Sequence, residues 1–484
     1  MQPSVRKKSW MNRFIDTIEY WGNKLPHPFI LFGMLVVITL IGSWILSQAG
    51  CSITYMAASR TPGEPEKEVT IAVTNLLSGE NLRYLITKYP DIFIGYPPMK
   101  LVLVMMAATA FIEKTGFFGT FMKKYLLRAP RGLVTFAVVF VGVNSNLMSD
   151  AGTLFALTMG GIIFAALGRN PLIGVILGWA SSSGGFTANL FLAGTDALLA
   201  GITEGVVKEM GVAVDINPAM NYFFMASATF FLSVTLTLFT EKVVCRMVGD
   251  GDGKVNMALL EEHKLTADQE KGLRWAFYGF LFFLAVMAAL TVPSWAILRN
   301  AKGGFLPKSP FFAGIITLIA FFFVSTGLPY GVATGEIKKW KDIPRLVSAG
   351  LREAIPLLTT TMMAAVFIDM MNKSNIFKMV AVAGAEALRG ANIGLLPLCL
   401  MIIVVTTIIN PFMTSGSSKW LIIAPMIVPM FTMLNVHPAY AQLAYRIGDS
   451  ATNICSPLQE LLPVIIGMLT QYQEVMCTPK TGRI

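Results

Sequence analysis

Polar and charged residues interrupt a long apolar stretch in the last third of the chain. Within residues 410–457 they include Asn410, Ser417, Arg446 and Asp449, set among proline, glycine and serine clusters. Polar groups in hydrocarbon are costly, so in a membrane protein they normally face a cavity, a partner or a substrate. The proline and glycine clusters indicate broken helices, which are tolerated at membrane depth only where protein or water covers the freed backbone groups. This stretch therefore predicts a binding site.

Arg446 and Asp449 are three residues apart, which places them on neighbouring faces of a helix. One interpretation is a buried ion pair that only fixes helix packing. The other is that Arg446 keeps Asp449 ionised and that the two shape a site for a charged substrate or a coupling ion. The sequence leaves both interpretations open.

Asp196 and Trp420 each have two interpretations. Asp196 lies about two helical turns beyond Asn189, and belongs either to the site or to the outer end of a span. Trp420 is either an interfacial tryptophan or a cavity residue whose indole stacks on an aromatic ligand. Its position close to Ser417 favours the cavity.

Hydroxyl and amide side chains also collect at two hairpin tips and two helix breaks. Together with unwound backbone carbonyls, they are the ligands that a sodium ion requires. We expect sodium near Ser145, Asn146, Gly184, Asn189, Ser415 and Asn453. The alternative is that these groups only form hydrogen bonds that close the helix breaks. A proton carried by Asp196 or Asp449 is the other candidate coupling ion, and no further cofactor is expected.

The composition identifies the kind of element that must hold these residues. Of 484 residues, 54% are hydrophobic and 14% are charged, whereas a soluble protein has about 25% charged residues. The chain is therefore a polytopic membrane protein. Its net charge of +10 is explained by cationic cytoplasmic loops, not by nucleic-acid binding. The five scattered cysteines suggest neither a disulfide framework nor a metal cluster.

The apolar runs predict an all-α fold with eight spans and two re-entrant hairpins. In the first half these are spans 25–48 and 98–112, hairpin 132–168, broken span 171–202, and plain spans 221–240 and 275–298. In the second half they are spans 310–333 and 354–368, hairpin 390–436 and broken span 438–468. Residues 51–97 and 113–131 are expected to be loops.

Basic residues predict the orientation. With the N-terminus in the cytoplasm, the cytoplasmic segments hold 24 of the 38 lysines and arginines, and the outside loops hold 11. The remaining three are Lys100, Lys419 and Arg446, so basic side chains at membrane depth are nearly confined to the stretch described first.

The two halves resemble each other in spacing. Asp150, at the first hairpin tip, precedes Pro171 by 21 residues, and Ser417 precedes Pro438 by the same distance. Five crossings separate the starts of the two copies, so the second copy is inverted. Inverted repeats with broken helices are typical of secondary transporters with an elevator-like ion-transporter plan, whose site lies near the midplane.

This repeat predicts the domain boundaries. They are a cytoplasmic N-terminus at 1–24, a first repeat at 25–240, a charged cytoplasmic loop and linking span at 241–306, a second repeat at 307–470 and a polar tail at 471–484. The second copy stops after its broken span, so we expect a further span of about 20 residues beyond Ile484.

Two other classes of protein were weighed. Two intramembrane aspartates could form an aspartyl protease, in which the carboxylates share a proton. Arg446 argues against this because it favours an ionised Asp449, and the inverted hairpins have no part in that mechanism. A passive channel is disfavoured because broken helices at a closed midplane site favour alternating access.

The chain resembles the p-aminobenzoyl-glutamate transporter (AbgT) family over nearly its whole length. The matching stretches include Gly184–Leu190 with Asp196, Ser415-Gly-Ser417 with Trp420, Ala424–Met430 and Tyr445–Ser450. The first hairpin tip departs from the pattern, since it reads Asn-Ser-Asn-Leu-Met-Ser-Asp.

The resemblance implies a homodimeric, multi-pass transporter of the bacterial inner membrane with nine spans and two hairpins. It implies transport of the folate catabolite p-aminobenzoyl-glutamate, or alternatively sulfonamide efflux. The family's substrate-binding positions carry over to Asp196, Asn410, Ser417, Trp420, Pro438, Arg446, Asp449 and Pro457.

Overall fold

The computed structural model describes residues 17, 20, 24, 26–57, 67–210, 214–305, 309–390, 394–456, 459 and 461–477. These residues are mostly helical. In the first half the helices are α1 Pro28–Gln48, α2 Gly79–Gly95, α3 Pro97–Lys114, α4 Phe117–Arg128, α5 Val134–Asn144, α6 Ser149–Ala166, α7 Pro171–Gly184, α8 Gly194–Glu209 and α9 Tyr222–Phe239. They continue as α10 Cys245–Val248, α11 Met257–Glu262, α12 Ala267–Thr291, α13 Pro310–Ala313, α14 Ile315–Thr334, α15 Asp342–Lys373, α16 Ile376–Gly390, α17 Leu395–Ile409, α18 Gly416–Met433, α19 Pro438–Asn453 and α20 Leu462–Cys477.

Among the described residues, seven helical segments are long and apolar enough to cross a ~30 Å hydrocarbon core. They are Pro28–Gln48, Gly79–Lys114, Tyr222–Val248, Ala267–Thr291, Ile315–Thr334, Ala354–Lys373 and Leu395–Phe412. Most side chains of α1 and α12 face away from the protein interior, and the exposed ones include Ile38 and Phe282. Apolar side chains on the outside of a helix are suited to contact with lipid. The predicted all-α membrane architecture is therefore confirmed.

Local sequence signals begin several of these helices. Pro171 stands in the first turn of α7, and the Asn170 side chain caps the helix by accepting a hydrogen bond from the Leu172 amide at 3.0 Å. Thr266 and Gln269 form a reciprocal capping box at the start of α12. Such caps satisfy amide groups that the first turn of a helix leaves without helical partners.

Three segments differ from the sequence predictions. The predicted loop 51–97 contains an antiparallel pair of strands, β1 Ser52–Ala57 and β2 Lys67–Ala72, followed by α2. The predicted loop 113–131 contains α4, and α20 extends into the predicted polar tail as far as Cys477. Polar residues are common in loops, but amphipathic helices are also rich in them, so polarity alone does not distinguish the two.

Each stretch predicted as a re-entrant hairpin contains two helices with a 3₁₀ turn between them, and their re-entry into the membrane stays a prediction. The first consists of α5, the turn Ser145–Met148 and α6, and the second of α17, the turn Asn410–Phe412 and α18. Both broken spans are also present, the first as α7 and α8 and the second as α19 and α20. The inverted relation between the two copies stays a prediction.

The chain divides into two compact units. Unit 1 comprises Met1–Val102, Leu198–Met220 and Ala354–Asp449. Unit 2 comprises Leu103–Ala197, Asn221–Glu353 and Ser450–Ile484. Part of the unit 1 interior is a cluster formed by Leu76, Val366 and Met370, against which α1 packs.

In unit 2, helices α6 and α7 pack backbone against backbone. A Cβ atom added to Gly160 would lie 2.3 Å from the Gly174 carbonyl oxygen, and one added to Gly178 would lie 2.3 Å from that of Ala156. Glycine permits this close approach, as at other membrane helix interfaces. The first hairpin is thereby fixed to the broken span that follows it.

Candidate functional site

The second hairpin and α19 meet in unit 1 at a buried ion pair. The Lys419 ammonium on α18 contacts the Asp449 carboxylate on α19, and the two side chains are 0% and 1% exposed. The ammonium also donates a hydrogen bond to the Asn410 side-chain oxygen. Three polar side chains from two segments of the hairpin and one helix therefore converge at one point.

The break in the hairpin places these groups. Helix α17 ends at Ile409, and α18 begins only after Ser415, whose hydroxyl caps it by accepting a hydrogen bond from the Ser418 amide at 3.4 Å. Asn410 lies in the intervening turn and donates from its amide nitrogen to the Asp449 carbonyl oxygen at 2.7 Å. Asn410 thus binds both the side chain of Lys419 and the backbone of α19.

An aromatic pair lies beside the ion pair. The rings of Trp420 and Tyr445 have centroids 4.7 Å apart and are tilted by 32°, and both residues are fully buried. The Trp420 indole nitrogen donates to the Thr203 hydroxyl at 3.1 Å, and that hydroxyl donates to Gln442 at 2.7 Å. Tyr445 donates to the Gly416 carbonyl oxygen, so the aromatic pair also joins α18 to α19.

Three other predicted substrate-binding residues of unit 1 lie on the same two helices, α18 and α19. Arg446 lies one helical turn before Asp449 and is 1% exposed. Pro438 is buried at the start of α19, and Ser417 is half-buried in the first turn of α18. Lys419, Arg446 and Asp449 are thus three ionisable side chains that are almost completely buried.

Asp196 lies in unit 2 at the start of α8. It is 1% exposed, and its carboxylate accepts a hydrogen bond from the Ala193 amide at 2.7 Å. A carboxylate at a helix start is stabilised by the exposed amide groups and by the helix dipole. Pro457 lies outside the residues that the structure describes.

The first hairpin tip is closed by a network of neutral groups in unit 2. The Asn146 amide nitrogen lies 3.1 Å from the Val143 carbonyl oxygen, 3.2 Å from that of Ser182 and 3.1 Å from that of Gly185. Ser145 donates to the Ser182 hydroxyl at 3.3 Å. The Asn146 amide nitrogen thus lies among three backbone carbonyl oxygens of the hairpin and the broken span.

The remaining expected sodium ligands are less uniform. Asn189 and Asn453 are buried, Gly184 is half-buried and Ser415 is exposed. Near the end of α19, the Thr187 and Ser450 hydroxyls share a hydrogen bond of 2.6 Å. A sodium site at these positions stays a prediction.

Unit 2 also contains a cluster of potential metal ligands and a cavity. Glu241, Cys245 and Asp250 lie close enough to hold a metal ion, but Arg169 contacts Glu241 at 2.9 Å and Asp250 at 2.8 Å, supplying the positive charge there. A cavity of about 840 Å³ is lined largely by aromatic and aliphatic side chains and reaches Asn144 of the first hairpin.

The sequence analysis missed Lys419, Thr203, Gln442 and Tyr445 as members of this cluster. For Lys419 one signal was available, because it was one of three basic residues assigned to membrane depth. Its partner Asp449 lies 30 residues away on another helix, and no helical spacing rule connects positions so far apart. Arg446 was instead considered because of its spacing from Asp449.

Comparison with known proteins places this geometry in context. Residues 13–479 match the profile of the AbgT putative transporter family. The p-aminobenzoyl-glutamate transport protein of Escherichia coli K12 is 32% identical over 470 residues, covering 97% of this chain and 90% of that protein.

Two solved structures are similar over almost the whole chain. The YdaH transporter of Alcanivorax borkumensis, described as having an unusual topology, gives a TM-score of 0.83 at 29% identity and covers 94% of this chain and 93% of its own. MtrF of Neisseria gonorrhoeae, described within a class of antimetabolite efflux pumps, gives 0.88 at 32% identity and covers 95% and 91%.

Proposed function

The chain belongs to the AbgT putative transporter family, and from that premise we propose that it carries p-aminobenzoyl-glutamate, or a similar aromatic amide with a carboxylate, across the bacterial inner membrane. As a member of this family it is a multi-pass membrane transporter and not an enzyme. The aspartyl-protease alternative is therefore set aside. The substrate, the coupling ion and the orientation, with a cytoplasmic N-terminus, belong to the proposal.

One observation carries the choice of substrate. The buried cation Lys419 lies next in sequence to Trp420, whose ring packs against Tyr445. A carboxylate can pair with an ammonium or guanidinium through charge-assisted hydrogen bonds, and an aminobenzoyl ring can stack on an indole. p-Aminobenzoyl-glutamate carries both groups, and the E. coli relative is named for its transport.

Transport is driven by a sodium or proton gradient in this proposal, and the carrier works as a homodimer. Sodium coupling is supported by the oxygen-rich breaks of both hairpins, and proton coupling by the buried carboxylates Asp196 and Asp449. Native mass spectrometry of detergent-purified protein tests the dimer, since a single 52.7 kDa species would contradict it.

The test of function uses purified protein in liposomes with an imposed sodium gradient, pH gradient or neither. Labelled p-aminobenzoyl-glutamate is added outside, and vesicles without protein serve as the control. Uphill accumulation under one gradient alone identifies the coupling ion. Saturation and counter-exchange distinguish a carrier from a passive channel. If folded protein moves no label under any gradient, the proposed function is wrong.

Sulfonamide efflux is the second candidate. The aromatic pair formed by Trp420 and Tyr445 suits an aminobenzene ring whether or not a carboxylate is attached, and MtrF is described as an antimetabolite efflux pump. A labelled sulfonamide is therefore compared in the same vesicles. Preference for the sulfonamide, with its accumulation inside vesicles of inside-out orientation, would replace p-aminobenzoyl-glutamate as the substrate.

A further inference from the structure

Lys419 holds a position that is unusual for a lysine in a membrane protein. Its ammonium is fully buried between the side-chain oxygens of Asn410 and Asp449, away from any aqueous surface. Long basic side chains near membranes usually extend toward the interface, where their charge is hydrated. This one is directed inward instead, and it ties the second hairpin to α19.

The stability of this contact depends on both Lys419 and Asp449 having a partner of opposite charge. A buried charge that loses its partner is strongly destabilised, so Lys419 cannot simply leave Asp449. A second anion that takes over the ammonium removes that obstacle for Lys419, and a coupling cation that takes over the carboxylate removes it for Asp449. Asp449 is then released from the hairpin.

We propose that Lys419 recognises the carboxylate of the substrate by exchanging Asp449 for it. In the resting state Asp449 acts as an internal competitor for the ammonium. When the substrate carboxylate pairs with Lys419, the contact between α18 and α19 through this ion pair is lost. The Asp449 carboxylate and the Asn410 oxygen then become available to a coupling cation. This inference rests on the proposed function, because it requires a ligand with a carboxylate.

Competition makes a prediction that a structural role does not. If Asp449 competes with the ligand, Asp449→Asn should tighten the binding of p-aminobenzoyl-glutamate, although it should abolish gradient-driven accumulation. If Asp449 only holds the helices together, the same change should weaken binding. Lys419→Met should weaken p-aminobenzoyl-glutamate binding by about ten- to a hundredfold, the range expected for loss of a charged hydrogen bond.

The experiment measures binding by isothermal titration calorimetry on detergent-purified protein at about pH 6, where acid conditions favour the charged ammonium. The two probes are p-aminobenzoyl-glutamate and p-aminobenzamide, which has the ring and amide but lacks the carboxylates. The affinity for p-aminobenzamide should change less than about twofold in both variants.

Lys100→Met is the matched control. Lys100 also belongs to unit 1 and pairs with an acid, Glu204, at 3.6 Å, but it is well exposed. Its loss should leave both affinities unchanged. The double variant Lys419→Met with Asp449→Asn replaces the charged pair by neutral groups of similar size. It should fold and should bind p-aminobenzoyl-glutamate no more tightly than p-aminobenzamide.

The outcomes separate this inference from the proposed function. If the unaltered protein binds neither probe and moves neither, the proposed function is at fault. If it transports p-aminobenzoyl-glutamate and Lys419→Met retains the preference for the carboxylate ligand, the inference is wrong and the function stands. Weaker binding in Asp449→Asn also overturns it. Loss of the preference in Arg446→Gln alone would assign the recognition to Arg446.

Discussion

The two hairpin tips are closed by chemically different groups. At the first tip the neutral Asn146 amide lies within hydrogen-bonding distance of three backbone carbonyl oxygens, those of Val143, Ser182 and Gly185. At the second tip the charged Lys419 ammonium donates to Asn410 and Asp449. Both place a nitrogen donor among oxygens, but only the second closure contains opposite charges.

This difference separates a fixed closure from an exchangeable one. The partners of Asn146 are backbone carbonyl oxygens, which are fixed by the helices that carry them. We therefore expect the first closure to have a structural role. In the proposed exchange a carboxylate ligand replaces Asp449, so the second closure would respond to substrate. The two hairpins share the order helix, 3₁₀ turn, helix, but we expect the first to stabilise the structure and the second to take part in substrate binding.

The largest expected effect is at the charged closure. Asp449→Ala leaves Lys419 buried without this carboxylate and should cost about 3–5 kcal/mol of stability. Addition of Lys419→Met to that variant should recover most of the loss. Thermal unfolding in detergent measures both changes. If the double variant is less stable than Asp449→Ala, the charged pair is not the dominant interaction at this tip.

A smaller effect is expected at the neutral closure. Asn146→Ala removes the donor to buried carbonyl oxygens and should cost about 1–3 kcal/mol. Because no charge is stranded, the ratio of the affinities for p-aminobenzoyl-glutamate and p-aminobenzamide should not change. Thermal unfolding and calorimetry on the same preparation test both statements. A change in that ratio would remove the distinction between the two tips.

Glycine substitutions compare the packing beneath the two tips. A Cβ on Gly152 would lie 1.7 Å from the Ser145 carbonyl oxygen, whereas one on Gly448 would lie 2.7 Å from that of Ile403. Gly152→Ala should cost up to about 3 kcal/mol and Gly448→Ala about 1 kcal/mol. Gly467, with nothing within 4 Å of the added carbon, is the control. Equal losses at Gly152 and Gly467 in thermal unfolding would contradict the close packing.

The smallest effect concerns the aromatic pair. Trp420→Phe keeps a ring beside Tyr445 but loses the hydrogen bond from the indole nitrogen to Thr203. The affinity for both p-aminobenzoyl-glutamate and p-aminobenzamide should fall by about fivefold, corresponding to about 1 kcal/mol. Calorimetry would show a shared loss if the ring serves both ligands. A loss confined to p-aminobenzoyl-glutamate would link Trp420 to the carboxylate instead.

Most of the membrane architecture could be predicted from the sequence. Apolar runs and positions such as Pro171 and Pro438 gave the two hairpins and the two broken spans, because hydrocarbon requires long apolar helices and prolines favour the first turn of a helix. The segment 79–95 was missed as a helix because its polar residues resemble those of a loop. The strands β1 and β2 were missed for the same reason.

The candidate site was predictable only in part. Asn410, Trp420 and Asp449 were selected as polar or aromatic interruptions of an apolar stretch. The structure joins Asn410 and Asp449 through Lys419 and packs Trp420 against Tyr445. The partner of Asp449 was sought by helical spacing, which reaches Arg446 but cannot reach Lys419. Thr203 and Gln442 meet across 239 residues, so only the fold could identify them.

The glycine contact between α6 and α7 has a mechanical consequence. Where Gly160 meets Gly174, no side chain lies between the two backbones, so there are no rotamers that could rearrange to absorb a displacement. A displacement of the first hairpin would therefore move α7 with it. The second hairpin is joined to α19 by close packing of Gly448 against Ile403 and also by the ion pair of Lys419 with Asp449. During a transport cycle we expect the first hairpin and α7 to move together. We expect the proposed exchange at Asp449 to loosen the second hairpin from α19.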